Sequence, residues 1–178
     1  MKTAFASDAR FMDHDTGVGH PERPARLSHT LAHLKSKPWF PSLHMMSGVE
    51  CNRDQISSMH DEVLIDRAQT SCAQGFSYLD SPDVVISPDS FDIARLAVGT
   101  VLSLSDAIVS GQVNNGFALI RPPGHHAEQN EALGFCLFNN IAITARYLQQ
   151  QHGLERVLIV DWDVHHGNGT QHLFEEDP

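Results

Sequence analysis

Val157-Leu158-Ile159-Val160-Asp161-Trp162-Asp163-Val164-His165-His166-Gly167-Asn168-Gly169 is an apolar run that ends in two carboxylates, two imidazoles and a glycine-flanked asparagine. Read as a strand over 157–161, it places Asp161, Asp163 and His165 two residues apart, on one side for as long as strand geometry persists. Asp163 and His165 then stand together where the strand gives way to a glycine loop. A carboxylate oxygen and an imidazole nitrogen converging there suit a borderline metal such as zinc. A buried strand followed by a polar turn accounts for the apolar run and the glycines. It leaves four ionisable groups in six residues without a reason.

Working outward, 117–120 reads as a short buried strand, 121–133 as a polar loop, and 138–151 as a helix ending at His152-Gly153. A further helix starts near Thr170. Strand, helix, strand at this spacing predicts parallel strands joined by a right-handed crossover. Both polar loops then leave the carboxyl ends of their strands, where open α/β sheets bind ligands. Earlier in the chain, 2–6 reads as a first strand, and a proline-punctuated loop at 19–24 leads into a helix through about Leu34. Pro38 and Pro41 make 36–50 irregular. Helical patterns cover about 52–59 and the stretch after His60. Ser81-Pro82-Asp83 and Ser87-Pro88-Asp89 bracket a loop that opens a helix over about 90–110. Ile93, Leu96, Ala97, Val101, Leu104 and Ile108 follow its spacing, and Gly111 is placed to end it.

The 178 residues suffice for one domain with a real core. A net charge of -10 and a pI near 5.5 argue against a nucleic-acid backbone as partner and suit a cationic substrate, drawn by steering. Cys51, Cys72 and Cys136 contain no CxxC pair, which favours reduced thiols in a cytoplasm. Asp8 interrupts any signal-like apolar core, and no segment approaches the roughly 18 apolar residues of a membrane span. The expectation is a soluble cytoplasmic protein without membrane or nucleic-acid partners; its oligomeric state is not written in these features.

The loop Arg121-Pro122-Pro123-Gly124-His125-His126-Ala127 presents adjacent histidines in a stiffened turn one crossover away from the candidate metal site. Two surface histidines in a polar loop are the plain alternative. Neutral imidazole takes a proton near pH 7 and imidazolium returns it, which is what amide hydrolysis requires.

Together, Arg121-Pro-Pro-Gly-His125-His126-Ala127, Gly134-Phe135-Cys136-Leu-Phe-Asn139-Asn140 and Asp161-Trp-Asp163-Val-His165-His166-Gly-Asn168-Gly-Thr-Gln171 resemble the histone deacetylase family. The Gly19-His20-Pro21-Glu22-Arg23-Pro24 loop resembles its N-terminal signature. The likeness is closest to the class II and bacterial deacetylase-like amidohydrolase branch, which carries asparagine at the position of Asn168. It implies an α/β fold of three layers, α-β-α, around a mainly parallel arginase/deacetylase-like sheet. Asp163 and His165 would be two ligands of a catalytic zinc, and a structural monovalent cation would sit near Asp161. His126 would be the general base, oriented by Asn168, and His125 would stabilise the transition state, oriented by Asp161. Gly134 and Phe135 would line the tunnel for an acyl-lysine-like chain, with Cys136 near its foot. Arg26 resembles an arginine at the acetate exit, and Asp83 a loop residue that contacts substrate, unless it is simply a surface turn residue. Substrates would be acetylated lysine in proteins or peptides, or acetylated polyamines.

The family's third ligand, an aspartate, and its oxyanion-stabilising tyrosine have no match in 1–178, and Tyr78 and Tyr147 fit neither role. Residues 1–178 therefore read as the N-terminal portion of a single, truncated catalytic domain, inactive alone. The alternative is a non-catalytic metal-binding fragment. A haloacid-dehalogenase-like phosphatase also has Asp-x-Asp after an apolar run, but magnesium chemistry leaves the histidine pairs without a task.

Overall fold

Parallel pairing organises the chain. Strand β1 (Thr3–Ala6) lies between β2 (His44–Met46) and β5 (Asn115–Ala118), with Ala4 opposite both His44 and Gly116. This computed structural model describes residues 1–177. The central strand reads Thr-Ala-Phe-Ala, and its two faces differ in kind. Ala4 and Ala6 present small side chains to α4 (Ser90–Val109), so that Leu104 and Ala107 of the helix seat closely on the sheet. Phe5 points to the opposite face, where it meets Phe40 edge-on at 5.3 Å and stacks on Phe117 at 6.1 Å.

The other side of α4 belongs to a larger core. Phe91, Val98 and Leu102 pack there with Ile56 of α2 (Arg53–Ser57), Leu64 and Ile65 of α3 (Glu62–Ala73), and Ile143 of α5 (Asn140–His152). Asn52 and Gln55 close a reciprocal cap on α2, at 2.8 and 2.9 Å. Leu27 of α1 (Ala25–Lys35) joins Phe11, Ile93 and Leu96 in a third cluster. Cys51, Cys72 and Cys136 are unpaired and buried.

The sequence-based expectations need four corrections. A strand, β2, lies inside the stretch expected to be irregular; three residues are too few to show a period, and pairing with β1 creates it. The expected 81–89 loop contains β4 (Ser81–Val85), antiparallel to β3 (Tyr78–Leu79) around Asp80 at φ 59°. Strand β5 begins two residues before the expected 117–120 and is not buried: Phe117 is 53% exposed, because among the described residues β5 pairs only with β1. The largest correction concerns 157–161, which is not a strand. Among the described residues it exchanges no ladder hydrogen bonds with β5, and a parallel strand exists only through such bonds. The period-two alternation survives: Val157 and Ile159 are half-buried, while Leu158, Val160, Trp162 and Val164 stand exposed.

Candidate active site

The histidine loop is held from beneath by an arginine. Arg121 is fully buried and donates to Glu22 through Nε at 2.9 Å and Nη2 at 2.8 Å, while Nη1 donates to the carbonyls of Phe11 at 2.9 Å and His14 at 2.6 Å. Burial works to raise the Glu22 carboxyl, but the Arg121 guanidinium outweighs it and holds the group below the usual carboxylate range. Asn140 Nδ2 donates to the Pro122 carbonyl at 3.2 Å, tying the start of α5 to the same loop. His60 Nδ1 donates to the Glu128 carbonyl at 2.7 Å, and its Nε2 accepts from the Asn139 N–H at 2.8 Å, so both ring nitrogens are committed to backbone.

On that support the two expected histidines stand side by side, ring centroids 4.1 Å apart, each with a different acceptor. His125 Nδ1 lies 2.7 Å from Asp161 Oδ2, and His126 Nδ1 lies 2.6 Å from Asn168 Oδ1. The chain delivers both acceptors by closing back on the loop: α6 (Asn168–Phe174) begins at Asn168, and the Thr170 N–H donates to the His125 carbonyl at 3.2 Å. Burial raises the Asp161 carboxyl, yet the bonds from His125 and from the Asp163 N–H prevail and keep it below its ordinary value.

Asp163 and His165 also meet. His165 donates to Asp163 Oδ1 through its backbone N–H at 2.8 Å, and its Nδ1 lies 2.9 Å from the same oxygen. One carboxylate and one imidazole this close form a donor set that fits zinc and supplies two of the three protein ligands of a catalytic site. Among the described residues, no group of three His, Cys, Asp or Glu side chains completes it. Asp163, His165 and His166 line an open cleft together with Asp161, Val164 and Gln171.

The remaining expected site residues divide. Gly134 and Phe135 are the two central residues of a tight turn in which the Cys136 N–H donates to Leu133 O at 2.8 Å. Both have left-handed φ, 54° and 69°, as a type I′ turn requires. Gly134 lies so close to the His126 ring that a Cβ would overlap it, and Phe135 packs edge-on against His20 at 4.7 Å. The turn is therefore a wall beside His126. Cys136 is not on that wall: it is wholly buried, its thiol pushed up to about 12 by burial, and Sγ donates to the Gly134 carbonyl. Arg26 is half-exposed and bonded to Glu22 at 2.8 Å, sharing that carboxylate with Arg121. Asp83 lies on β4, exposed, and accepts from the Ser81 hydroxyl.

The family model described as Histone deacetylase domain matches residues 20–178. The chain belongs to the histone deacetylase family. It is 43% identical over 162 residues to the polyamine deacetylase HDAC10 of Rattus norvegicus, covering 88% of this chain and 28% of that protein. A Synechocystis relative, the uncharacterized protein slr0245, is 43% identical over 178 residues, covering 98% of this chain and 58% of its own length. The crystal structure of the HDA15 HD domain superposes with a TM-score of 0.92 at 40% identity, covering all of this chain and 51% of that one. The chain thus spans from about a quarter to under two thirds of the length of these relatives.

Several supports of the candidate site carry no role in the sequence reading: Glu22, Arg121, Asn139, Asn140, His60 and Glu128. Four of them lie inside the quoted motifs. The signal that could have found them is polarity out of place, since a buried arginine or asparagine next to prolines and glycines needs a partner. Which partner is a matter of tertiary geometry.

Proposed function

We propose that this chain forms the N-terminal portion of a single zinc-dependent deacetylase domain that hydrolyses acetyl groups from amines, acetylated polyamines or acetyl-lysine side chains. The observation that carries this reading is the division of labour in the histidine pair: one imidazole faces a carboxylate and its neighbour an amide, at 2.7 and 2.6 Å. With Nδ1 donating to Asn168, His126 offers a bare Nε2 that can take a proton from water. His125 donates to Asp161, whose negative charge can balance an imidazolium next to a developing oxyanion. Gly134 and Phe135 wall the approach to His126 so that an extended acylated chain lies alongside it. Asp163 and His165 would hold zinc, which supplies Lewis-acid polarisation and a more acidic water when bound. The chain's net charge of -10 favours a cationic amine over an anionic substrate.

The test measures acetate release from an acetylated polyamine and an acetyl-lysine peptide by the full-length protein with zinc. His126→Ala should lower kcat/KM by about 100- to 10,000-fold. Asp163→Ala should abolish zinc binding in isothermal titration. Zinc bound through Asp163 and His165 with no turnover on either substrate would instead favour a metal-binding module, a reading that the two-ligand set supports.

A further inference from the structure

Beyond the histidine pair, a hydrogen-bonded chain runs from His126 to the protein surface. Asn168 Oδ1 faces His126 Nδ1 at 2.6 Å, and Asn168 Nδ2 donates to Glu128 Oε1 and, at 3.4 Å, to the His126 carbonyl. Glu128 in turn accepts from His172 Nδ1, 2.9 Å from each carboxylate oxygen. The carboxylate is 15% exposed and the His172 side chain 54%.

We propose that Glu128 is a positioning residue that decides which nitrogen of His126 carries the proton. An asparagine side chain has two faces of nearly equal shape, one accepting and one donating. Rotated by half a turn, Asn168 would donate to His126 Nδ1, the ring proton would move to Nε2, and the nitrogen needed as a base would be blocked. An ionised carboxylate only accepts, so Glu128 admits the Nδ2 face and rejects the oxygen face. Oδ1 is thereby turned toward His126, whose Nδ1 must donate, leaving Nε2 bare. His172 donates to the far side of the same carboxylate and holds it in register, so that an exposed imidazole on α6 is coupled to the site.

The fold of the loop does not account for this use of the Glu128 side chain. The Glu128 N–H donates to the Glu131 carbonyl at 2.9 Å, and its own carbonyl is taken by His60, so the backbone is fixed without the carboxylate. The inference rests on His126 being the base, and its test is independent of turnover. Histidine-labelled full-length protein, without added metal, is observed by long-range proton–nitrogen correlation at a pH where the imidazoles are neutral. The expected wild-type signature of His126 is a protonated Nδ1 and a bare Nε2. Glu128→Ala should lose that single signature and gain the Nε2-protonated form, and Glu128→Gln, whose amide can present either face to Asn168, should show a mixture of the two forms. His60 is the internal standard, because backbone groups alone fix its tautomer.

A single Nδ1-protonated His126 in Glu128→Ala, with His60 unchanged, would overturn the proposal. So would loss of the His60 signature in both variants, which would assign Glu128 to folding. Failure of the deacetylase reading would be seen elsewhere, as undiminished acetate release in His126→Ala, with the tautomer spectra unaffected.

Discussion

Arg121 and Glu22, 99 residues apart in sequence, form a buried pair in which two guanidinium nitrogens reach the two oxygens of one carboxylate. The pair joins the loop of His125 and His126 to the 19–24 loop, and Arg26 binds the same carboxylate from the solvent side. Removing Glu22 leaves the buried Arg121 charge without a counter-charge. Glu22→Ala should therefore lower unfolding free energy by about 3–5 kcal/mol, read as a fall in the denaturant midpoint at constant m-value. A loss below about 1 kcal/mol would mean that the pair is solvated in solution.

Two buried histidines set an acid limit. Burial pushes His14 and His60 down to about 4 from an ordinary 6.5. Their folded values lie below the unfolded ones, so the unfolded chain binds more protons as the pH falls. The stability they support is complete above 6.5 and is lost between 6.5 and about 4, at about 1.4 kcal/mol per pH unit for each group. Urea titrations at pH 7.5, 6 and 5 should show this slope, and His60→Gln should remove its share.

Gly134 tests the wall. Gly134→Ala meets a left-handed φ of 54° and the His126 ring, whereas Gly75→Ala meets a comparable φ of 72° with no atom within 4 Å. Both should pay the backbone cost, about 1–3 kcal/mol. Only Gly134→Ala should also move the His126 ring resonances. Equal stability losses with unchanged His126 resonances would place Gly134 away from the ring.

The Asp161 carboxylate should govern His125. Asp161→Asn replaces a negative acceptor 2.7 Å from Nδ1 by an amide that can donate as well as accept, so the His125 ring loses its counter-charge and its fixed orientation. The His125 ring resonances should shift and broaden, and unchanged resonances would mean that Asp161 does not hold the ring. His60, which has no such contact, should keep its resonances.

Much of the frame is legible in the sequence because it repeats locally. The helices over 25–35 and 90–109 follow from apolar spacing and their flanking prolines and glycines, and β1 from a short apolar run at the start of the chain. The pairings of His125 with Asp161 and of His126 with Asn168 follow from the family resemblance, and the structure brings those residues together. What escapes the sequence is whatever a partner decides. Strand β2 exists because β1 is beside it, and 157–161 has every local mark of a strand yet makes no ladder. Cys136 sits in a motif whose resemblance places it near the foot of the tunnel, and that it is wholly buried is a matter of tertiary packing. Glu128 resembles any polar loop residue until Asn168 and His172 arrive from 40 and 44 residues away.

The type I′ turn at Gly134-Phe135 separates aim from chemistry. Backbone dihedrals, fixed by the bond between Leu133 and Cys136, set where the side chain at 135 points; Phe135 itself only decides what is found there. On the deacetylase reading proposed above, exchanging that one side chain would alter which acyl chain is accepted while the His126 ring stays where Gly134 leaves room for it. On the same reading, preference would diverge through single substitutions at 135, with His125 and His126 under separate selection.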